Sequence, residues 1–223
     1  MSYVDALFDR EHDRIHVVER KNGRREYREY PATYVFYYDD PRGKFRSIYG
    51  NSVNRFTTRN NKEFRKEIRI QSGKGIYESD INPVFRCFEE NYKGQDAPRL
   101  QTCFFDIEVD FDPERGFSKP DDPFNPITAI SVYLDWLDQL VTLVIPPKSM
   151  TAETAKEIAE QFENTMLFDN EADMLNTFLD LIDDADVLSG WNSEGFDIPY
   201  TVQRITRVPV SYTHLTLPTK RIV

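Results

Sequence analysis

Three carboxylates in this chain have the type and setting to do chemistry: Asp106 and Glu108 in the run QTCFFDIEVD, and Asp197 just after the turn SGWN. Successive strand side chains alternate faces, so Asp106 and Glu108 project from one side with Ile107 opposite. Two unpaired negative charges side by side are expensive to bury, so that face is either wet or holds a cation. Carboxylates converging on a sheet edge are hard-oxygen ligands of the kind Mg²⁺ or Mn²⁺ prefers. Two such ions can deprotonate a water, align it with a phosphodiester and stabilise the leaving oxygen. Spacing alone leaves other readings open. The D-x-E pair suits a wet strand edge, Asp197 a helix cap, Asn192 a turn and Phe196 a core position.

The elements that must position these groups follow from local pattern. Residues 3–8 and 14–19 read as short strands, with the Asn-Gly pair of KNGRRE suited to a tight turn, and ATYVFYY as an aromatic core strand. The segment NRFTTRNNKEFRKEIRI has Phe64 and Ile68 four apart among charges, the pattern of one amphipathic helix capped at Asn60 or Asn61. A second helix starts near Pro83, with Val84, Phe85 and Phe88 behind it. NYKGQDAPR is the expected link to a second unit.

That unit opens with the strand LQTCFFDIEV, followed by a hairpin in FNPITAISVYLDWLDQLVTLVIPP. Thr151 caps a helix whose Ala155, Ile158, Ala159 and Phe162 form an expected core stripe. Asp169 or Asn170 caps another, lined by Leu175, Phe178, Leu179 and Ile182. VLSGWN is a short apolar run ending in a turn, and FDIPYTVQRI is a helix with Asp197 as cap. Strands and helices in this order predict an α/β layered domain with a mixed central sheet.

Composition narrows the chemistry. At 223 residues with 39% apolar and 13% aromatic residues, the chain can bury a sizeable core. Its three histidines, His12, His16 and His214, lack a nucleophile context, which argues against Ser-His-Asp or Cys-His hydrolysis. Cys87 and Cys103 form no CxxC pair, so neither a disulfide framework nor a zinc knuckle is expected, and a reducing cytosol fits. No run is apolar and long enough for a membrane span, and no secretion leader is evident. The net charge of -10 is uneven: residues 1–100 hold 20 Lys/Arg against 16 Asp/Glu, and the remainder 8 against 22. An acidic half cannot hold phosphates without metal ions.

FFDIEV resembles the first exonuclease motif of family B DNA polymerases, and GWNSEGFDIPY resembles the second. With FDNEADML upstream, the flanks are similar to the polymerases of T-even-type bacteriophages. The likeness is good from about residue 100 to 207 and loose before that. It implies a fold class of α/β type: an incomplete ribonuclease H-like exonuclease domain, its mixed sheet flanked by helices, over residues 99–208, preceded by a small mixed α/β N-terminal domain over 1–98. Palm, fingers and thumb would follow. It further implies two Mg²⁺ or Mn²⁺ ions, with Asp106 bridging both, Glu108 on the ion bearing the nucleophile, and Asp197 on the other, partly through water. Asn192 and Phe196 would position the 3′-terminal nucleotide. Implied partners are DNA, as single-stranded 3′ primer end and primer-template, and a sliding clamp. The setting is the cytoplasm of an infected bacterium.

The family's third exonuclease motif, a Tyr followed shortly by an Asp, is not found in residues 1–208, and the palm motifs are missing. The chain therefore reads as an N-terminal fragment that is inactive or barely active by itself. Residues 209–223, around VSYTHLTLPT, resemble translated sequencing adapter and read as a non-native tail. Two rivals stand beside the polymerase reading: a free-standing 3′-5′ exonuclease of the same carboxylate class, and a non-catalytic nucleic-acid-binding module.

Overall fold

In a computed structural model that describes residues 2–147 and 150–210, the chain divides into two units between Arg99 and Leu100. The expected tail lies outside the described residues from 211 onward.

The first unit begins with an antiparallel meander, β1 (Ser2–Asp9), β2 (Arg14–Lys21) and β3 (Arg24–Pro31). Lys21 pairs with Arg24, and the two residues between them, Asn22 and Gly23, sit at φ 52° and 77°. That is the double left-handed turn Asn-Gly favours, because its twist matches the strands it joins. A second antiparallel sheet of β4 (Tyr34–Asp39), β5 (Phe45–Arg46), β6 (Ser52–Thr58) and β7 (Ile76–Tyr77) has the order β5-β6-β4-β7. Helices α1 (Asn61–Ile70) and α2 (Pro83–Tyr92) begin at Asn60 and Asn82, whose side chains accept the N–H groups of Glu63 and Val84.

Ile15 and Val17 alternate inward on β2 and pack with Tyr34, Phe36, Phe64, Cys87 and Tyr92. The next inward position is Glu19, 3% exposed. Its carboxylate accepts from the Tyr92 hydroxyl at 2.6 Å and lies 3.4 Å from Arg28 Nε, which is what makes its burial tolerable.

Two expectations are corrected in this unit. NRFTT belongs to β6, where it pairs residue for residue with β4, so only the segment from Asn61 is helical. Phe85 is 65% exposed, and it is Cys87 and Tyr92 that α2 buries.

The second unit is built on one five-stranded mixed sheet of β8 (Thr102–Val109), β9 (Ile127–Leu134), β10 (Gln139–Val144), β11 (Thr165–Leu167) and β12 (Val187–Ser189). The order is β11-β10-β9-β8-β12, with β8–β9 and β9–β10 antiparallel and the two outer pairings parallel. Among the described residues three helices accompany it: α3 (Ala152–Ala159), α4 (Glu171–Ile182) and α5 (Asp197–Arg207). Cys103, Phe105 and Ile107 of β8, with Ile130, Val132 and Leu134 of β9, form one face against Met174, Leu175, Phe178 and Leu179 of α4 and Tyr200 of α5.

The α3 stripe departs from expectation. Ala155 is buried, but Ile158 and Phe162 are 43% and 61% exposed. They line an open apolar groove with Val144, Ile145 and Leu167 instead of closing a core. No helix among the described residues is long and apolar enough to cross a membrane.

Candidate active site

The strand alternation of β8 separates core from chemistry. Cys103, Phe105 and Ile107 are buried, while Phe104, Asp106 and Glu108 emerge on the opposite face. On one side β8 is paired along its length by β9. On the other, β12 meets only Thr102, Cys103 and Phe104 before the chain turns away. The backbone edge of β8 is therefore open at the carboxylates.

That turn is built to hug the strand. A Cβ at Gly190 would lie 2.3 Å from the Phe105 carbonyl oxygen, so only glycine allows the crossing. Asn192 sits at φ 56°, and its carbonyl accepts the N–H groups of Gly195 and Phe196 at 2.9 and 3.0 Å, leading the chain into α5.

Asp197 is the first residue of α5 rather than its cap. The N-cap position falls on Phe196, which makes no side-chain cap bond. The Asp197 carboxylate instead accepts the Ile107 N–H at 3.1 Å, filling the strand edge that β12 leaves open. The helix-cap expectation is thus corrected: strand satisfaction replaces helix capping. Asp197 is 4% exposed. Burial raises its pKa above the ordinary carboxylate range, and the negative charge of Asp106 adds to the effect, while the Ile107 N–H opposes it.

Asp106, Ile107, Trp191, Asn192, Phe196 and Asp197 line one open depression of about 510 Å³. Four of the five residues singled out from sequence are thus together. Glu108 shares the strand face of Asp106 but is not in that lining. Among the described residues, no three His, Cys, Asp or Glu side chains are grouped so as to hold a metal ion. A larger cavity, about 680 Å³ beside α3, has a single carboxylate, Asp110, in a mostly apolar wall and offers no comparable chemistry.

Three features around this depression went unread in sequence. Trp191 is 92% exposed at its rim. Tyr200, fully buried, donates to the Asn125 carbonyl at 2.8 Å and accepts from the Ser118 hydroxyl, fastening the long connection after β8 to the helix that carries Asp197. Arg204 completes the fastening, donating to Glu171 at 2.7 and 2.6 Å and to the Pro123 carbonyl at 3.0 Å. Glu171 in turn accepts the Ile127 N–H at 2.8 Å. An acidic residue just after a cap reads as solvated, and only an inward Arg on the next helix would have marked it as paired.

Residues 46–218 match the model of the DNA polymerase family B exonuclease domain. The chain belongs to this family. It is 27% identical over 231 aligned positions to the DNA-directed DNA polymerase of Escherichia phage RB69, an alignment covering 92% of this chain and 24% of that protein. The chain thus spans about a quarter of the length of this relative. The family match starts in β5, inside the first unit, and ends beyond the described residues.

Proposed function

We propose that residues 99–208 form the 3′-5′ proofreading exonuclease domain of a family B DNA polymerase, a ribonuclease H-like fold hydrolysing the terminal phosphodiester of single-stranded DNA. Residues 1–98 would be the N-terminal domain of the same enzyme, working in an infected cell's cytoplasm with a sliding clamp as partner. The observation that carries the reading is that Asp106 and Asp197, 91 positions apart in sequence, line one depression on an open strand edge, with Asn192 and Phe196 beside them.

Exonuclease domains of this family use divalent metal ions. The donor set fits: Asp106 and Asp197 are hard-oxygen ligands, and the buried Asp197, repelled by the exposed Asp106 beside it, gains from a cation between the two. Asp106, Glu108 and Asp197 would hold Mg²⁺ or Mn²⁺, two ions in all, which when bound supply an activated water and stabilise the leaving 3′ oxygen.

The protein's own part is positional. Ile107 N–H holds Asp197 against β8 so that it cannot swing toward solvent. Asn192, fixed by its turn, presents an amide to the terminal nucleotide. Phe196 packs on Tyr200, ring centroids 5.2 Å apart, and offers a flat wall to the sugar or base. The third motif of the family is not found in residues 1–208, so hydrolysis by this chain alone is expected to be weak.

The test is metal-dependent 3′-exonuclease activity on single-stranded DNA. It would compare this chain, a version carrying further residues of its reading frame, and Asp106→Ala in each. Activity in the longer wild type that vanishes in Asp106→Ala supports the assignment. Equal activity in both, or none in the longer protein, overturns it.

A further inference from the structure

Helix α1 carries a second pattern that the exonuclease site does not use. Lys62, Arg65, Lys66 and Arg69 are all exposed, and at 100° per residue they fall within about 100° of arc. Phe64 and Ile68, on the opposite side, pack into the first unit's core. Arg59, also exposed, precedes the cap. The carboxylates of the helix are off the stripe and engaged elsewhere: Glu63 with the Thr58 hydroxyl, and Glu67 with the Gln71 amide at 2.8 Å. Among the described residues, none of the four stripe cations forms an ion pair with a carboxylate; Arg65 donates only to Asn61 at 3.0 Å.

Helix stability does not account for this arrangement. Lys62 lies in the first turn, where the dipole disfavours cations, Arg65 and Lys66 lie mid-helix, and only Arg69 suits its place. A generally basic background does not account for it either, since residues 1–100 hold 20 Lys/Arg against 16 Asp/Glu, while the stripe sets four cations together with no carboxylate inside their arc. We infer that α1 is a sequence-independent docking surface for the phosphodiester backbone of a nucleic acid strand. From Lys62 to Arg69 the helix advances about 10 Å, which at about 3.4 Å per phosphate faces roughly three phosphates. An anionic membrane fits less well, because the apolar side of α1 is committed to the core and cannot enter lipid. The inference stands on the first unit alone and does not depend on the nuclease reading.

The test is fluorescence anisotropy of labelled 20-mer oligonucleotides, single-stranded and duplex, titrated with the whole chain in chelator at several salt concentrations. The triple variant Lys62→Gln/Lys66→Gln/Arg69→Gln is compared with Arg24→Gln/Lys44→Gln/Lys93→Gln, which removes the same charge from scattered exposed positions. Each lost phosphate contact lowers the log–log salt slope by about 0.7 on single strands and about 0.9 on duplex. The α1 triple variant should therefore lose a slope of about 2 on single strands, with binding weakened at least tenfold at low salt, while the control keeps its slope. Should the triple variant fail to melt cooperatively, Lys66→Gln alone is read for a slope loss of about 0.7.

Equal losses in both triple variants overturn the inference. So does wild-type binding without salt dependence, no binding at all, or tighter binding to phosphatidylserine vesicles or a polyglutamate peptide than to either oligonucleotide. Because nothing is hydrolysed in chelator, the outcome is read independently of the nuclease assay.

Discussion

The Oδ1 atom of Asp197 accepts the N–H of Ile107 at 3.1 Å, so a helix residue finishes the edge of a strand between two further carboxylates. Replacing Asp197 by Asn keeps an acceptor there and removes the charge buried near Asp106. Replacing it by Ala leaves the N–H of a residue only 6% exposed without a partner. In chelator, Asp197→Asn should be more stable than Asp197→Ala by about 1–3 kcal/mol, the cost of an unmade buried hydrogen bond. Urea denaturation of the two variants measures the difference; equal stabilities would show that the bond contributes nothing.

Trp191 stands almost wholly in solvent at the rim of the depression, where an indole has no packing role to play. Stacking on a nucleobase is what such a face can offer. If the chain extended along its reading frame hydrolyses single-stranded DNA as proposed, Trp191→Ala should raise KM roughly tenfold with little change in kcat, and Trp191→Phe should recover much of it. A fall in kcat at constant KM would place Trp191 in some other role.

Glu171 and Arg204 are a two-bond ion pair whose side chains are 9% and 14% exposed. Hydrogen bonding to Glu171 raises the Arg204 pKa further, so the guanidinium keeps its charge. Removing either one strands a buried charge. Arg204→Met should cost about 3–5 kcal/mol, and Glu171→Leu/Arg204→Met should be less damaging than the single change. Thermal melts of the single and double variants decide this; additive losses would contradict the pairing.

Burial in the sheet core pushes the Cys103 thiol from about 9 up to about 11. The folded state thus holds its proton more tightly than the unfolded chain does. The resulting stability is fully present below about pH 9 and is lost as pH rises through about 11. Cys103→Ala should lower stability at neutral pH through lost packing yet flatten the alkaline decline, which melts at pH 7, 9 and 10.5 would show.

Much of the fold was legible because much of it is local. Asn22-Gly23 specifies its hairpin by backbone conformation alone, Asn60, Thr151 and Asn170 each cap the helix that follows them, and Pro83 opens another. The strand placing Asp106 and Glu108 on one face followed from its alternation. Residues 54–58 misled because Phe56 falls on a helical stripe as readily as on a strand, and only pairing with β4 decides. Asp197 misled for a similar reason. Its local setting is that of a cap, and its actual partner lies 90 positions upstream. Glu171 and Tyr200 act through equally distant partners, which no periodicity encodes.

The placement of the two cysteines has a further use. Cys87 is sealed in the core of the first unit and Cys103 in that of the second, and both are free thiols. Each unit thus carries its own chemical clock. Under a pulse of alkylating reagent, the mass of the peptide around each thiol would record when that unit alone opens, so the two lifetimes can be timed in one sample without a dye.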